Sequence, residues 1–283
     1  MDGVDYIIVG GGSTGCVLAG RLSEDEACTV ALLEEGPRDR SPWIHIPGAY
    51  YKTAQGSLLK RFPWEPGPGQ ARNDSPTMVQ ASVLGGGSSV NAMIYIRGNP
   101  ADYAQWEAMG ATGWGYDDVL PYFRKAEDNN RFAGPAHGTD GPLKVSDIDQ
   151  IHPLSRAWLL ACQEQGLPLN PDFNSGDQAG TGLYQITARG RRRSSAAVAY
   201  LHGALHRRNL MLRTGARVSR ILVEKGRAVG IEFVERGRTR VLRARNEVIL
   251  SAGAVATPKL LMLSGLRRIS AITGSGRSLT CPV

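Results

Sequence analysis

Tyr6-Ile7-Ile8-Val9-Gly10-Gly11-Gly12-Ser13-Thr14-Gly15-Cys16 is the stretch that decides the fold. Tyr6 to Val9 is a short apolar run that reads as a buried parallel strand, and Cys16 to Leu22 reads as a helix. Strand, glycine turn and helix in that order form the context a dinucleotide fingerprint requires. Gly10 allows the tight turn, Gly12 lets the backbone approach a pyrophosphate, and Gly15 lets the helix pack closely on the strand. The N-terminus of that helix, with its free N–H groups and positive dipole end, would face the phosphates.

A second strand is predicted over residues 29–33, ending at Glu34, roughly 20 residues past the glycines, where an acid binds a ribose 2′-hydroxyl. The same acid would repel a 2′-phosphate, which counts against NADP. NAD and FAD both use this cradle, and it does not choose between them.

The chain has 283 residues, room for one large core or two modest ones. Its hydrophobic fraction of 42% and charged fraction of 21% are those of a soluble globular protein. No apolar stretch approaches the roughly 20 residues that cross a bilayer, so no transmembrane segment is expected. Asp2, Asp5 and the early glycines do not resemble a signal peptide. The expected location is cytoplasmic, with a peripheral seat on the inner membrane as the alternative.

The net charge is +7, but the only dense basic run, Arg189 to Arg193, sits among glycine and serine without interleaved aromatics, so no nucleic-acid partner is expected. Cys16, Cys28, Cys162 and Cys281 are scattered, without metal-ligand spacing, and read as free thiols.

Residues 37–76 are rich in Pro, Gly and aromatics and lack a sustained period, which predicts an extended excursion that covers a site. Helices are expected over 117–126, 153–165 and 194–206. Residues 210–213, 218–224, 228–234 and 239–244 alternate like an antiparallel meander. A buried strand over 247–251, the turn Ala252-Gly253-Ala254 and a helix to about Ser264 would rejoin the first sheet. The nucleotide-binding core is therefore split, into about 4–36, 78–130 and 208–266. Segments 37–77 and 131–207 supply cover and part of a substrate region.

Leu84-Gly85-Gly86-Gly87-Ser88-Ser89-Val90-Asn91-Ala92-Met93-Ile94-Tyr95-Ile96-Arg97-Gly98 resembles the first signature of the glucose-methanol-choline oxidoreductases, and residues 253–265 resemble the second. Asn99-Pro100-Ala101-Asp102-Tyr103 with Trp106 looks like the choline dehydrogenase and bacterial alcohol dehydrogenase branch. The resemblance covers residues 4–266 and includes landmarks at Arg193, Ser195 and Val218. It implies an α/β fold: a doubly wound, Rossmann-like FAD-binding domain with inserted antiparallel strands and a partial substrate domain.

The implied activity is FAD-dependent oxidation of a small-molecule alcohol at CH–OH, choline being the leading candidate, with an unidentified electron acceptor. By resemblance, Gly10, Gly12, Ser13, Thr14 and Gly15 hold the pyrophosphate and Glu34 the adenosine ribose. Val83, Gly86 and the backbone of Asn91, Ala92, Met93 and Ile94 line the flavin, and Val218 contacts the adenine side. Some members attach FAD through a histidine in this loop; Asn91 stands there, so noncovalent FAD is expected.

The pattern is broken in three places. Gln80-Ala81-Ser82 replaces an expected basic residue, Arg267 interrupts the second signature, and residues 267–283 no longer match. None of His45, His137, His152, His202 and His206 lies in a catalytic motif of the family, although alcohol oxidation needs a base for the hydroxyl proton. His202 and His206 have a metal-compatible spacing but no third ligand, so no metal is expected. Trp43, Tyr50, Tyr51 and Trp64 suit a cage for a quaternary ammonium by cation–π contact, or, the favoured reading, a flavin cover or core filling. A truncated or frameshifted, inactive FAD-binding fragment is the main alternative. Half of a split enzyme follows it, and an NAD-dependent dehydrogenase, to which the second glycine loop is useless, comes last.

Overall fold

A computed structural model describes residues 3–63 and 77–266. In chain order its main elements are β1 (Val4–Val9), α1 (Ser13–Leu22), β2 (Val30–Glu34), β3 (Leu59–Pro63), β4 (Thr77–Ala81), α2 (Pro100–Ala108) and α3 (Tyr116–Ala126). They continue with α4 (Pro153–Glu164), β5 (Leu210–Thr214), β6 (Ala216–Glu224), β7 (Arg227–Glu235), β8 (Arg238–Leu250) and α5 (Gly253–Leu263). Among the described residues, the main sheet has the strand order β5-β2-β1-β8-β7-β6.

The first four of these strands are parallel, with Ile8 opposite both Leu32 and Ile249, and Leu32 opposite Leu212. Because β1 and β2 send alternate side chains to opposite faces, they feed two cores. Ile8, Val30 and Leu32 pack with Cys16 and Ala19 of α1 and with Ala197 and Leu201. Ile7, Val9, Ala31 and Leu33 pack on the other face with Ile221, Ile231 and Phe233 of the antiparallel strands and Leu260 of α5. Each such buried Ile or Leu contributes about 1.5–3 kcal/mol. All five residues of β2 are buried, as a parallel strand covered on both faces must be.

The sequence-based assignments change most in three places. Residues 210–214 leave the expected meander and join β2 in parallel register, where a nonpolar strand gains two covered faces. The two strands expected over 239–244 and 247–251 are one, β8, whose first half pairs with β7 and second half with β1. The polar residues that looked like a break are accommodated by partners: Arg245 Nε donates to Asp5 Oδ1 at 2.8 Å. The helix expected over 194–206 is a π-helical turn at Ala197–Leu201 followed by a 3₁₀ turn at His202–Ala204.

The excursion over 37–76 is more regular than expected where it is described. It holds short helical turns at Pro42–His45 and Tyr50–Thr53, and β3 pairs antiparallel with β4. Trp43, Tyr50 and Tyr51 are exposed, so they do not fill the core, and the Lys52 ammonium lies 3.7 Å from the centroid of the Trp43 ring. Trp64 and Cys281 lie outside the described residues. Among the described residues, no helix is long and apolar enough to cross a membrane.

Residues 94–186 are held differently. Their strands are two or three residues long, such as Glu127–Asn129 paired with Leu143–Val145. Side chains supply the connections instead. Buried Glu127 accepts from Arg97 Nη2 at 2.7 Å and from Asn129 Nδ2 at 2.8 Å, and sits 3.0 Å from His137 Nδ1. His137 Nε2 reaches Asp172 Oδ2 at 2.8 Å, and Asn129 exchanges amide hydrogen bonds with Gln185. Burial alone would lower the His137 pKa, but its hydrogen bonds to Glu127 and Asp172 outweigh that and hold it above the ordinary histidine value. Burial alone would raise the Glu127 pKa, yet hydrogen bonds from His137, Asn129 and the Gly138 N–H, with the Arg97 charge, hold it below the ordinary value.

Candidate functional site

The carboxyl ends of β1, β2 and β8 open into a cavity of about 750 Å³. A crevice there is where an open α/β sheet binds its ligand. Its floor is the turn between β1 and α1. Gly10 has φ +100°, and a methyl group there would lie 2.5 Å from the Ser251 carbonyl oxygen. Gly15 is tighter, since its methyl would come within van der Waals overlap of the Gly10 oxygen. Gly12 is the opposite case: its methyl would meet only the Ser251 oxygen, at 3.8 Å, so that side faces open space. No side chain caps the first turn of α1, and Ser13 and Thr14 line the cavity beside Gly12.

The second glycine segment packs directly on the first. The Gly85 N–H donates to the Gly11 carbonyl at 2.7 Å, and a methyl at Gly86 would lie 2.7 Å from Gly12 Cα. Gly85 and Gly86 both have positive φ, +86° and +54°, which explains glycine at each. Two segments some seventy residues apart in sequence thus form one wall of backbone.

Glu34 closes the end of β2. Its Oε2 accepts from the Gly11 N–H and its Oε1 from the Gly36 N–H, both at 2.8 Å. Burial raises its pKa, and the two N–H donors only partly offset that. A carboxylate has about four acceptor sites, so each oxygen keeps a lone pair for a hydroxyl.

Gly10, Gly12, Ser13, Thr14, Glu34, Gly86 and Val218 all line the cavity. Gly15 lies beneath it, where it admits the helix. Val83 is wholly buried beside Ile44 and Val90, and its carbonyl accepts from the Gly86 N–H at 2.8 Å. Asn91, Ala92 and Ile94 are exposed and do not line this cavity, and Met93 is buried with φ +63°.

Other wall residues come from segments read in sequence for the fold or for a departure from the family pattern, not as site residues. Gln80, in place of a basic residue, donates to the Ala252 carbonyl at 2.8 Å and ties β4 to the turn after β8. Ser251 and Gly253, with φ +86°, form that turn beside the Gly10 turn. Its signal was present in sequence: another strand ending in small residues before a helix. Of the histidine pair, His202 reaches Asp39 at 3.0 Å, and among the described residues no metal-holding group of His, Cys, Asp or Glu occurs.

The donor set fits a dinucleotide. Open backbone at Gly12 and an uncapped helix start suit a pyrophosphate, a buried carboxylate at the strand end suits a ribose, and apolar Val218 suits a base. A family model described as GMC oxidoreductase matches residues 4–278. The chain belongs to the GMC oxidoreductases. The match extends past Leu266, where the sequence reading ended the resemblance.

Among GMC-like relatives, the chain is 42% identical over 300 residues to human "Choline dehydrogenase, mitochondrial", covering 99% of this chain and 48% of that protein. It is 43% identical over 281 residues to "Alcohol dehydrogenase [acceptor]" of Pseudomonas putida, covering 97% of this chain and 50% of that protein. Its fold is similar to an FAD-dependent oxidoreductase from Chaetomium thermophilum, with TM-score 0.83 and 33% identity over 93% of this chain and 48% of the other. The chain spans about half the length of the curated relatives it matches.

Proposed function

We propose that this chain holds FAD, noncovalently, as the dinucleotide-binding part of an oxidoreductase that acts on the CH–OH group of a small alcohol, with choline the leading candidate. The observation that carries the proposal is the cavity in which two glycine loops, packed on each other, meet Glu34 at the end of β2. An NAD role would leave the second loop without a ligand to serve.

In this reading Gly10, Gly12, Ser13 and Thr14 receive the pyrophosphate through backbone N–H groups, and Gly15 sets the helix close enough to do so. Glu34 receives the adenosine ribose hydroxyls on its remaining lone pairs, and Val218 packs on the adenine side. Val83 and Gly86 shape the loop, and Asn91, Ala92, Met93 and Ile94 present the face that meets the flavin. Residues 37–77 and 131–207 supply the cover and part of the substrate region. Bound FAD would supply the hydride acceptor; the residues named here bind and orient it.

A second reading, FAD binding without turnover, is favoured by one observation: among the described residues, no histidine lines the cavity. The visible spectrum of the purified chain, before and after anaerobic addition of choline, separates the two. A flavin spectrum that bleaches supports turnover, and one that does not bleach supports binding alone. A colourless chain that takes up no added FAD overturns both. Release of the flavin on acid denaturation is expected for noncovalent attachment, and flavin that stays with the polypeptide contradicts it.

A further inference from the structure

Arg193 is a buried cation with unusual company. It is 2% exposed, and its hydrogen bonds go to neutral acceptors: Nε to the Ile44 carbonyl at 2.7 Å, and Nη1 to the Ser88 carbonyl at 3.1 Å and Asn91 Oδ1 at 2.7 Å. Its Nη2 is buried without a partner. Burial lowers its pKa to about 10, a sign of the cost of keeping the charge there. A well-packed apolar residue would fill the space more cheaply, so the contacts it makes need a reason.

Two of those three contacts, to Ser88 and Asn91, fall in one turn. Asn91 Oδ1 accepts both from Arg193 and from the Met93 N–H, at 3.1 Å. Two donors on one atom identify it as the carbonyl oxygen, so the amide N–H₂ of this exposed side chain points away from Arg193. Met93 holds φ +63°, a left-handed conformation that costs a side-chain-bearing residue and persists only where neighbours impose it. On its other side the Met93 carbonyl accepts from the Thr187 N–H at 2.8 Å. Arg193 and Thr187, both in the 185–193 segment, therefore clamp the 88–93 turn from outside it.

We propose that Arg193 is a positioning residue for the flavin-facing turn: acting through Asn91, it fixes the backbone of residues 88–93 and turns the Asn91 amide N–H₂ outward as a donor to the bound cofactor. The proposal rests on the FAD reading given above. It assigns a role to a buried charge that the cavity around the glycine loops does not use.

The test uses the whole chain and two measurements, the melting temperature without FAD and FAD affinity by quenching of flavin fluorescence. Asn91→Asp places a carboxylate against Arg193 and removes the outward donor. The melting temperature without FAD should rise by about 2–4 °C, as a charge-assisted hydrogen bond replaces a neutral one. FAD affinity should fall about tenfold or more. A merely structural role moves both readings in the same direction. Arg193→Gln and Asn91→Ala should each weaken FAD binding, and the double variant should bind no worse than the weaker single.

Additive losses in that cycle, or an Asn91→Asp chain that melts lower or binds FAD unchanged, overturn the inference. Should Arg193→Gln fail to fold, the Asn91→Asp pair of readings decides alone. An unsubstituted chain that binds no FAD overturns the FAD reading instead, and the melting temperature of Asn91→Asp still reports whether Arg193 and Asn91 are coupled.

Discussion

The nucleotide cradle and the polar core around Glu127 are built on opposite principles. In the cradle, backbone meets backbone: Gly85 on Gly11, Gly86 on Gly12, Gly15 under the Gly10 carbonyl. Side chains are absent where the approach is closest. In the 94–186 region the strands are too short to bind the chain, and Arg97, Glu127, Asn129, His137, Asp172 and Gln185 hold it by side-chain hydrogen bonds. The first arrangement fails when an atom is added, the second when a charge is removed.

The charge-removal arm has the largest expected effect. Glu127→Gln leaves Arg97 buried without its carboxylate, because both side chains are almost fully enclosed. Breaking such a pair costs about 3–5 kcal/mol. Chemical denaturation should show that loss, and an unchanged midpoint would mean that the network is not what holds this region. The atom-addition arm comes next. Gly15→Ala drives a methyl into the Gly10 oxygen and should cost about 1–3 kcal/mol as α1 is pushed off the sheet, with FAD binding lost in parallel.

The same contrast governs what could be read from sequence. The first half of the cradle was legible because its parts are local: a strand, three glycines at set spacing, a helix and an acid at the next strand end all fall within residues 4–34, whereas the packing of Gly85 and Gly86 on that turn has no local signal. The helices expected over 117–126 and 153–165 were legible too, and they form at Tyr116–Ala126 and Pro153–Glu164. The polar core was not legible. Its partners are drawn from positions as distant as Arg97 and Gln185, and nothing local marks Glu127 as buried rather than as an ordinary surface acid. The expected place of residues 210–213 in the meander fails for a related reason, since a short apolar strand carries no signal that says which neighbour it will pair with. Arg193 was visible as part of a basic run and as a landmark of the family resemblance, but neither marked it as buried; the run is divided in space, with Arg189 bound to Asp128 and Arg193 enclosed.

A pH series sharpens the comparison further. The imidazole of His137 lies between Glu127 and Asp172, Glu127 also pairs with the Arg97 guanidinium, and the His137 pKa is raised by its two carboxylate partners against the effect of burial. A raised folded-state value contributes stability that is complete below the unfolded value of about 6.5 and is lost as pH rises through the folded value. Glu127 works the other way: its lowered value contributes stability that is lost as pH falls through it. The melting temperature should therefore decline above about pH 6.5, and His137→Gln should flatten that limb. Amide exchange should locate the loosening in residues 127–186, with β1 and β2 unaffected. A decline that persists in His137→Gln would assign it elsewhere.

The smallest effect on stability is the sharpest test of the cradle. Gly12→Ala adds the same methyl as Gly15→Ala, three residues away in the same turn, but into space bounded only by the Ser251 oxygen at 3.8 Å. Its φ of −73° suits alanine, so the apparent cost is the weaker helix cap, under about 1 kcal/mol. If that open side is where a pyrophosphate approaches the backbone, the methyl should lower FAD affinity about tenfold or more while the melting temperature without FAD hardly moves. A Gly12→Ala chain that binds FAD as well as the original would place the phosphates elsewhere in the cavity. A chain that unfolds would show that Gly12, like Gly15, is glycine for packing rather than for a ligand.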